Sequence, residues 1–563
     1  MSRYGQTGKR EEVIEEDGDA GIIGMDCASP PEDLEPGWCQ LLVNKRLVNG
    51  KPMTRPGLGE HPSLNDPSFG EIYGSGVYTF PNSGGICLLI AVVDGVYLLR
   101  QYHSPVKLFF PEGVEIDDEV EFNQCFDKVV MLRGKEKETL EWSGDITENF
   151  TFIEQTGTGG TEPIPNGTTG LCFSDRFIMT DGRRIAVSDI LNYTRFDSAF
   201  FEYSFNDGDG EEVKRFLSWQ ENTVIILKSN RIGGFFGFTG DLANSRIDSI
   251  VEKGVVGKKA AENVGADILF LGEGGLYRLL QNIQSRIEVS EKTISEKIQP
   301  LIDRINWERS DKAVMAVLGT YLYLAVPFEK SEHNNVVLVY NLNREVWESI
   351  DYYGNENGVG ESAGLRILSF EKIKWDGRDK LAMVCNRVNG HGCVLIHEYG
   401  SDDVVGGIKH KIIDRFLSRV YTGRNAGFKA FNRCSIWLKT FNPFLSVSAV
   451  FPGVNERELL TPFITRNRKK YFLHGKKDFD PADPRNDPDQ PDREDYSVKA
   501  DEEFFIPESG LSVERMQESL ERFKIRRQAE GVAIEITGSQ GRLGTTRITV
   551  GQYETQRNSR TKI

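Results

Sequence analysis

The stretch "AVPFEKSEHNNVVLVYNLNREVWESID", residues 325–351, contains two apolar runs around a polar loop. The second run carries Tyr340, and Trp347 follows it seven residues later. Runs of β-branched and aromatic residues bounded by polar turn residues are typical of short β-strands. The stretch therefore predicts a pair of strands, and it raises the question of what the two aromatic rings do.

The same arrangement, an apolar strand followed by a tight turn and a second apolar strand, recurs along the middle of the chain. Instances lie at residues 86–100, 175–189, 216–230, 267–280 and 313–327. Each contains a residue that suits the positive φ of a two-residue hairpin. These residues are Gly95, Gly182, Asn222, Gly275 and Gly319.

The spacing of these hairpins indicates an architecture. The turns follow one another by about 40 to 50 residues, once a weaker unit near residues 133–134 is counted, and this is the length of a four-stranded propeller blade. A further unit fits at residues 380–400. Residues 81–405 are therefore predicted to form an irregular six- or seven-bladed β-propeller within an all-β chain.

The pattern differs on both sides of the predicted propeller. Between residues 406 and 563, strands such as 433–440 and 532–538 alternate apolar with polar residues, as expected of a half-exposed β-sandwich. Residues 1–80 are expected to supply an N-terminal arm and further strands. The two ends of the chain are thus predicted to build a sandwich or platform domain together.

Two segments of the C-terminal region have distinctive compositions. Residues 476–495 are rich in proline and acidic residues, which predicts a long exposed loop. In residues 512–528, Val513 and Leu520 belong to a helical stripe, whereas Phe523 and Ile525 alternate as in a strand. The expectation is a short helix that runs into a strand.

Charge and cysteine content limit the classes of function. A formal charge of −16 argues against a protein whose main task is to grip nucleic-acid phosphates. Eight scattered cysteines are too sparse and irregular for a disulfide framework and suit a reducing compartment. The N-terminus has no apolar run of signal-peptide length, so synthesis as a soluble cytoplasmic protein is expected.

Known catalytic and nucleotide motifs are incomplete in this sequence. The stretch "GVVGKKA" at 254–260 lacks the spacing and the Ser or Thr of a phosphate-binding loop. Asp207, Asp209 and Glu211 offer oxygen ligands, but Glu212 stands where a calcium loop needs glycine, so a solvated hairpin tip is expected. We expect no enzyme activity and no cofactor.

One cluster has metal-ligand chemistry. Cys385, His391, Cys393 and His397 lie within 13 residues, and a hairpin at Asn389 and Gly390 would bring the two thiols together with imidazoles, as zinc requires. The alternative is that the cysteines are core residues and the histidines ordinary strand residues. The sequence leaves both interpretations open, with the second favoured.

Tyr340 and Trp347 resemble the aromatic pair at the end of a kelch blade, where two rings pack between neighbouring sheets. Only this unit shows the spacing. The alternative is an ordinary strand-turn pair with two aromatic residues. Both interpretations place the rings in packing.

The segment "LEPGWCQLLVNKRLVNGKPMTRPGL", residues 34–58, resembles the opening of tail and neck proteins of tailed bacteriophages. A proline-glycine turn precedes a strand with an asparagine, and an Arg-Pro-Gly follows. The matching positions are Pro36, Gly37, Asn44, Arg55, Pro56 and Gly57. Residues 182–197, 222–232, 254–279 and 321–351 look like the propeller of the same proteins, and residues 522–538 resemble their C-terminal strand pair.

Within this family the chain is similar to the tail nozzle, or tail tube, protein of short-tailed phages. The resemblance implies a virion structural protein of the tail, assembled in the host bacterial cytoplasm as a cyclic ring, with six copies expected. Implied partners are the adaptor or portal at the head–tail connection, other tail proteins including fibres, and the host envelope. Viral DNA would pass through without sequence-specific binding during genome retention and ejection.

A channel that DNA slides through is expected to be lined by carboxylates, because these repel phosphates. The alternative is a generally acidic surface. Two other functions compete with the tail ring: a monomeric kelch-like binding propeller, which has no need of the "LLVNKRLVNG" arm, and a glycan-active phage depolymerase, for which no carboxylate pair is identified.

Overall fold

The structure is a computed structural model of the chain. It describes residues 11–17, 21–155, 163–196, 201–220, 222–281, 287–290, 293–354, 365–400, 402–423, 428–440, 445–452, 456–463, 469–472, 504–505, 512–515, 517–538 and 543–554. The predicted acidic loop at 476–495 lies outside these residues. Almost all described elements are strands, which confirms the all-β class.

Six short strands precede the repeating part of the chain. They are β1 (Glu11–Asp17), β2 (Gly24–Met25), β3 (Trp38–Val43), β4 (Lys45–Val48), β5 (Lys51–Thr54) and β6 (Leu58–Glu60).

Five four-stranded antiparallel sheets follow, each with its strands in sequence order. The first two units contain β7 (Ile72–Thr79), β8 (Ile86–Val92), β9 (Gly95–Leu99) and β10 (Val106–Phe109), then β11 (Glu121–Cys125), β12 (Lys128–Leu132), β13 (Leu140–Trp142) and β14 (Thr151–Phe152). The third and fourth contain β15 (Thr169–Phe173), β16 (Arg176–Thr180), β17 (Arg184–Val187) and β18 (Glu202–Ser204), then β19 (Val213–Trp219), β20 (Thr223–Lys228), β21 (Ile232–Phe236) and β22 (Arg246–Val251). The fifth contains β23 (Ala261–Val264), β24 (Asp267–Gly272), β25 (Gly275–Gln281) and β26 (Ile287–Val289).

Two further four-stranded units belong to a larger sheet. The sixth contains β27 (Val314–Leu318), β28 (Tyr321–Pro327), β29 (Asn334–Asn341) and β30 (Val346–Asp351). The seventh contains β31 (Leu365–Trp375), β32 (Arg378–Arg387) and β33 (Gly392–His397), and its fourth strand is β6 from the N-terminal segment. A helical turn, α1 (Gln299–Ile302), lies between the fifth and sixth units.

Each unit packs on its neighbours, and the seventh packs on the first. On β8, Leu88 and Ile90 join an apolar cluster with Val384 of the seventh unit. The alternate residue Leu89 joins a cluster with Met131 of the second unit. Because successive side chains of a strand point to opposite faces, both faces of β8 are covered, and this explains why it reads as a continuous apolar run.

The remaining strands include those of a platform. The full set is β34 (Asp403–Val405), β35 (Ile408–His410), β36 (Asp414–Tyr421), β37 (Lys429–Thr440), β38 (Leu445–Phe451), β39 (Glu456–Phe463), β40 (Lys469–Phe472), β41 (Phe504–Phe505), β42 (Ser512–Arg515), β43 (Gln517–Ala529), β44 (Val532–Gly538) and β45 (Leu543–Glu554). Within this set, β34-β35 is a separate two-stranded sheet, and β40-β42-β41 is a separate three-stranded sheet.

Two sheets of the platform face each other across an apolar core. Platform sheet 1 has the order β4-β5-β45-β37-β43, with β1 also paired to β45. Platform sheet 2 has the order β39-β38-β44-β36-β3, and it continues into the sixth unit because Val43 pairs with Ile350. Alternate residues such as Ile436 of sheet 1 and Ile534 of sheet 2 share one buried cluster. Strands from both ends of the chain therefore pair within the platform.

Some details differ from the sequence-based expectations. Residues 517–529 form strand β43 and residues 512–515 form strand β42, so the predicted helix is wrong there: β43 pairs along β37, and this pairing outweighs the helical stripe. Gly182 and Gly319 have the expected positive φ, whereas Gly274 takes this role in place of Gly275. Among the described residues, no helix is long and apolar enough to cross a membrane.

Candidate functional site

Four of the residues that carried the phage resemblance, Asn44, Arg55, Pro56 and Gly57, lie at or beside a buried junction. Arg55 directs its two terminal nitrogens to the carboxylate oxygens of Asp403 at 2.8 and 2.7 Å. Its Nε donates to Oδ1 of Asn44 at 3.0 Å, and its guanidinium lies 4.1 Å from the centroid of the Tyr353 ring. Only 1% of Arg55 is exposed. The planar guanidinium thus has hydrogen-bond acceptors along its edges and an aromatic ring against one of its faces.

Two more buried ion pairs complete the junction. Arg46 Nη2 lies 2.6 Å from Oδ2 of Asp351, and Lys45 Nζ lies 2.8 Å from Oδ1 of Asp414. Thr54 donates its hydroxyl to the second oxygen of Asp414. We define the junction as Lys45, Arg46, Arg55, Asp351, Asp403 and Asp414.

The three carboxylates belong to different parts of the fold. Asp351 ends β30 of the sixth unit, Asp403 begins β34 after the seventh unit, and Asp414 begins platform strand β36. All three cations come from one segment, Lys45 to Arg55. This segment therefore links the repeating units to the platform through charge pairs that water does not reach.

Burial shifts the ionisation of the groups in and beside the junction. Burial raises the pKa of Asp414, and Lys45 and Thr54 only partly oppose it. His397 is buried with Nε2 2.8 Å from the Tyr353 hydroxyl. Burial, followed by the positive charges of Arg46 and Arg55, lowers the pKa of His397 well below its usual value. His397 is therefore neutral at neutral pH.

The other resemblance residues have backbone roles. An added Cβ at Gly57 would collide with the backbone carbonyl of Asp402, so glycine is required for this close approach. The carbonyl of Pro56 accepts a hydrogen bond from Arg55 Nη1 at 2.9 Å. Pro36 and Gly37 lie apart from the junction, in the turn before β3. Gly37 has a φ of 91°, and its carbonyl accepts from Ile23 N–H at 2.7 Å.

Tyr340 and Trp347 are both buried, on the adjacent strands β29 and β30. Their ring centroids are 5.0 Å apart. Trp347 donates its indole N–H to the carbonyl of Ile294, in the connection that follows the fifth unit, at 3.0 Å. The pair thus joins the sixth unit to the segment that leads into it.

The structure places the four zinc candidates in different surroundings. Cys385 and Cys393 are buried register partners on β32 and β33. His391 contacts the carbonyl of Phe69 through Nδ1 at 3.0 Å, and His397 is held by Tyr353. In the described part of the chain, no group of three or more His, Cys, Asp or Glu residues could hold a metal ion. Zinc binding by this cluster stays a prediction.

The Asp207–Glu211 turn is organised by a lysine. Buried Lys228 places Nζ 2.9 Å from Oδ1 of Asp209 and donates to the carbonyl of Phe205 at 2.8 Å. Glu211 N–H also bonds to Oδ1 of Asp209 at 2.9 Å. The ammonium group of Lys228 thus occupies the position beside Asp209 that a bound metal cation would need.

A polar cavity of about 490 Å³ lies where the first strands of all seven units meet. Lys259 Nζ is 2.9 Å from Oε1 of Glu119, and Lys372 Nζ is 2.9 Å from Oε1 of Glu262. Glu371 accepts from the Ser75 hydroxyl at 2.6 Å, and burial raises its pKa. Both cations and carboxylates line this cavity, which we call the axial cavity, and it is therefore a polar site of mixed charge.

Sequence reasoning found Asn44, Arg55 and Gly57, but it missed the ionic partners. The signal that was present is the consecutive pair Lys45 and Arg46 inside the otherwise apolar "LLVNKRLV". Charges in the middle of an apolar strand indicate buried partners. The identity of those partners is not readable, because they lie some 300 residues further along the chain.

No family model and no curated protein matches this chain. Similar solved structures include the BT4673 extracellular domain from B. thetaiotaomicron, with 9% identity, a TM-score of 0.40 and 76% of this chain covered. The chain spans 58% of the length of that protein. The Cps50 (Swd1) β-propeller domain from Myceliophteria thermophila has 9% identity and a TM-score of 0.38, with 60% of this chain and 99% of that one covered. Virginiamycin B lyase from Staphylococcus aureus has 12% identity and a TM-score of 0.38, with coverage of 60% and 98%.

Proposed function

We propose that this chain is a structural subunit of a bacteriophage tail, where copies assemble through the platform into a nozzle-like ring around the DNA channel. The observation that carries the proposal is the junction. The segment that resembles phage tail proteins supplies all three cations of the junction, and two of them, Arg46 and Arg55, tie the platform to the repeating units.

In this proposal the seven units form a seven-bladed propeller. Strand β6 supplies the outer strand of the last blade, so the beginning and end of the repeating part are joined by backbone hydrogen bonds. The hydroxyls of Ser75 and Ser369, on β7 and β31, also contact each other between the first and last units. This supports a ring of blades with the axial cavity at its centre.

A tail component must withstand the force of packaged DNA without its parts separating. Breaking a buried ion pair by removing one partner costs about 3–5 kcal/mol, because a charge is left uncompensated. Two such pairs, Arg46–Asp351 and Arg55–Asp403, therefore resist movement of the propeller relative to the platform, and Lys45–Asp414 joins the two platform sheets. A propeller that only binds a ligand has no need of this attachment.

The expectation of an acidic channel lining stays a prediction. The outward face of platform sheet 1 carries the exposed cations Arg433, Arg522 and Lys524. This face alone would attract phosphates. If it borders the channel, the DNA must be kept away by carboxylates of other segments or by the channel width.

The alternative is a monomeric propeller that binds a small polar ligand, and the axial cavity is the observation that favours it. Carboxylates and ammonium groups in one cavity suit a zwitterionic molecule.

An analysis of purified virions of the phage that encodes this chain would distinguish the tail subunit from the ligand-binding propeller. Mass spectrometry of purified particles should detect the chain at several copies per particle, and antibody-gold labelling should mark the tail. Absence from the particle would overturn the tail assignment and favour the ligand-binding propeller.

A further inference from the structure

Strands of opposite composition, β1 and β43, lie on opposite sides of platform sheet 1, and β1 shares its side of β45 with the β5–β4 pair. At one edge, β1 has the sequence EEVIEED and pairs only with β45 among the described strands. At the other edge, β43 has the sequence QESLERFKIRRQA and pairs only with β37 in the same part of the chain. Each strand therefore has one backbone edge with no strand partner in the described structure.

Charge separates the two edges. Strand β1 carries the five acidic residues Glu11, Glu12, Glu15, Glu16 and Asp17 and no basic residue. Strand β43 carries four basic residues, Arg522, Lys524, Arg526 and Arg527, against Glu518 and Glu521, and Arg527 already pairs with Glu456 of β39. On β43, Arg522 and Lys524 are exposed, and Lys524 lies directly opposite Arg433 of β37.

Because the chain as a whole has a formal charge of −16, a cluster of exposed basic residues on one strand is unusual for its surface. Each edge also exposes a large apolar side chain, Ile14 on β1 at 52% and Leu520 on β43 at 39%. An acidic edge and a basic edge, each with an exposed apolar side chain, have the complementary charge and apolar contact area that an interface between two copies needs.

The strand directions allow the sheet to continue from one copy into the next. Strands β1, β45, β37 and β43 lie side by side and are all antiparallel to their neighbours. Because this set has an even number of strands, β43 of one copy and β1 of the next are antiparallel when the set is repeated in the same direction. Extended unpaired edges are templates for such pairing.

We propose that β43 of one copy pairs with β1 of the next, so that platform sheet 1 continues around the ring. This inference rests on the proposed function and names the surfaces that build the ring. The contact joins two different surfaces, and a heterologous contact of this kind closes into a cyclic assembly when its rotation is a whole fraction of a turn.

The test uses two charge-reversal variants of the full chain. The first carries Arg522→Glu with Lys524→Glu, and the second carries Glu12→Lys with Glu15→Lys and Glu16→Lys. Mass photometry and sedimentation velocity give the mass of each, alone and as an equimolar mixture. A matched control carries Lys374→Glu with Arg378→Glu, two exposed cations of the seventh unit.

The wild-type chain and the control should form an oligomer of the 63.4 kDa subunit. Each edge variant alone should be monomeric, because its two edges then have the same sign. The mixture should regain the oligomer, because each altered edge meets an altered edge of opposite charge. Higher salt should weaken the wild-type oligomer, because exposed charge pairs are screened.

Several results would overturn the inference. These are a monomeric wild-type chain, edge variants that keep the wild-type mass, and folded variants whose mixture stays monomeric. If a charge reversal lowers the thermal midpoint, neutral substitutions replace it. The double variants Arg522→Gln with Lys524→Gln and Glu12→Gln with Glu16→Gln remove charge attraction without adding like charges, and they should weaken assembly. A chain that is present in the virion tail but joined by other surfaces would refute this interface and leave the proposed function standing.

Discussion

Arg55 holds Asp403 with two parallel hydrogen bonds of 2.8 and 2.7 Å, although the two residues are 348 positions apart in the chain. The same carboxylate accepts from Leu58 N–H at 3.0 Å and from Gly354 N–H at 2.9 Å. Asp403 therefore accepts from two separate segments, the N-terminal arm and the residues that follow the sixth unit.

The variant Arg55→Met should be destabilised by about 3–5 kcal/mol, because Asp403 would stay buried without its cation. Urea unfolding of the purified chain measures this loss. The matched control is Arg304→Gln, which removes the exposed pair with Glu329 and should cost less than about 1 kcal/mol. Equal stability of Arg55→Met and wild type would show that the junction contributes nothing to folding.

Gly57→Ala should fold poorly, because its new Cβ would meet the Asp402 carbonyl. Gly70→Ala is the control, since no heavy atom lies within 4 Å of the corresponding position. Soluble yield and thermal midpoint distinguish the two. A Gly57→Ala chain as stable as Gly70→Ala would contradict the close backbone approach described for the arm.

Stability should fall as the pH drops below about 6.5, the ordinary pKa of histidine. His397 has a lowered pKa in the folded state, so the unfolded chain binds more protons and is favoured by acid. The limiting slope from one histidine is about 1.4 kcal/mol per pH unit. His397→Gln should flatten this dependence, and the exposed His103→Gln should leave it intact. A wild-type slope that survives His397→Gln would assign the effect to other groups.

The ring of units can be tested by a cross-link. The double variant Ser75→Cys with Ser369→Cys should form a disulfide under mild oxidation, because the two hydroxyls are in contact between the first and seventh units. Peptide mass mapping detects the bond. The control pair, Ser75→Cys with Ser218→Cys, places the second thiol on β19 of the fourth unit and should not cross-link within the chain. Failure of the first pair under the same oxidation would contradict closure.

Much of the fold could be predicted because apolar runs and turn residues close together in the sequence determine where its strands and hairpins lie. The apolar runs around Gly182 and Gly319 reflect strand burial within single units. The alternation in residues 532–538 predicts a half-exposed strand, but β44 is almost entirely buried because Glu535 has partners inside the platform. The role of β6 could not be predicted, because three residues, Leu58 to Glu60, carry no periodic signal of their own.

The candidate site could be predicted only in part. Asn44, Arg55 and Gly57 were singled out by resemblance, but their bonding depends on pairing between distant segments. The strand at 517–529 shows the same limit, since the helical stripe is local and the pairing with β37 is not. A single sequence likewise cannot tell whether Cys385, Cys393 and two histidines converge on a metal or lie in separate surroundings.

The most direct measurement is a cryo-EM reconstruction of the tail of intact virions. We expect this chain to fit density as a cyclic ring around a DNA-sized channel, with the platforms in contact and the propellers outside. A tail reconstruction in which every density is accounted for by other chains would contradict the central claim.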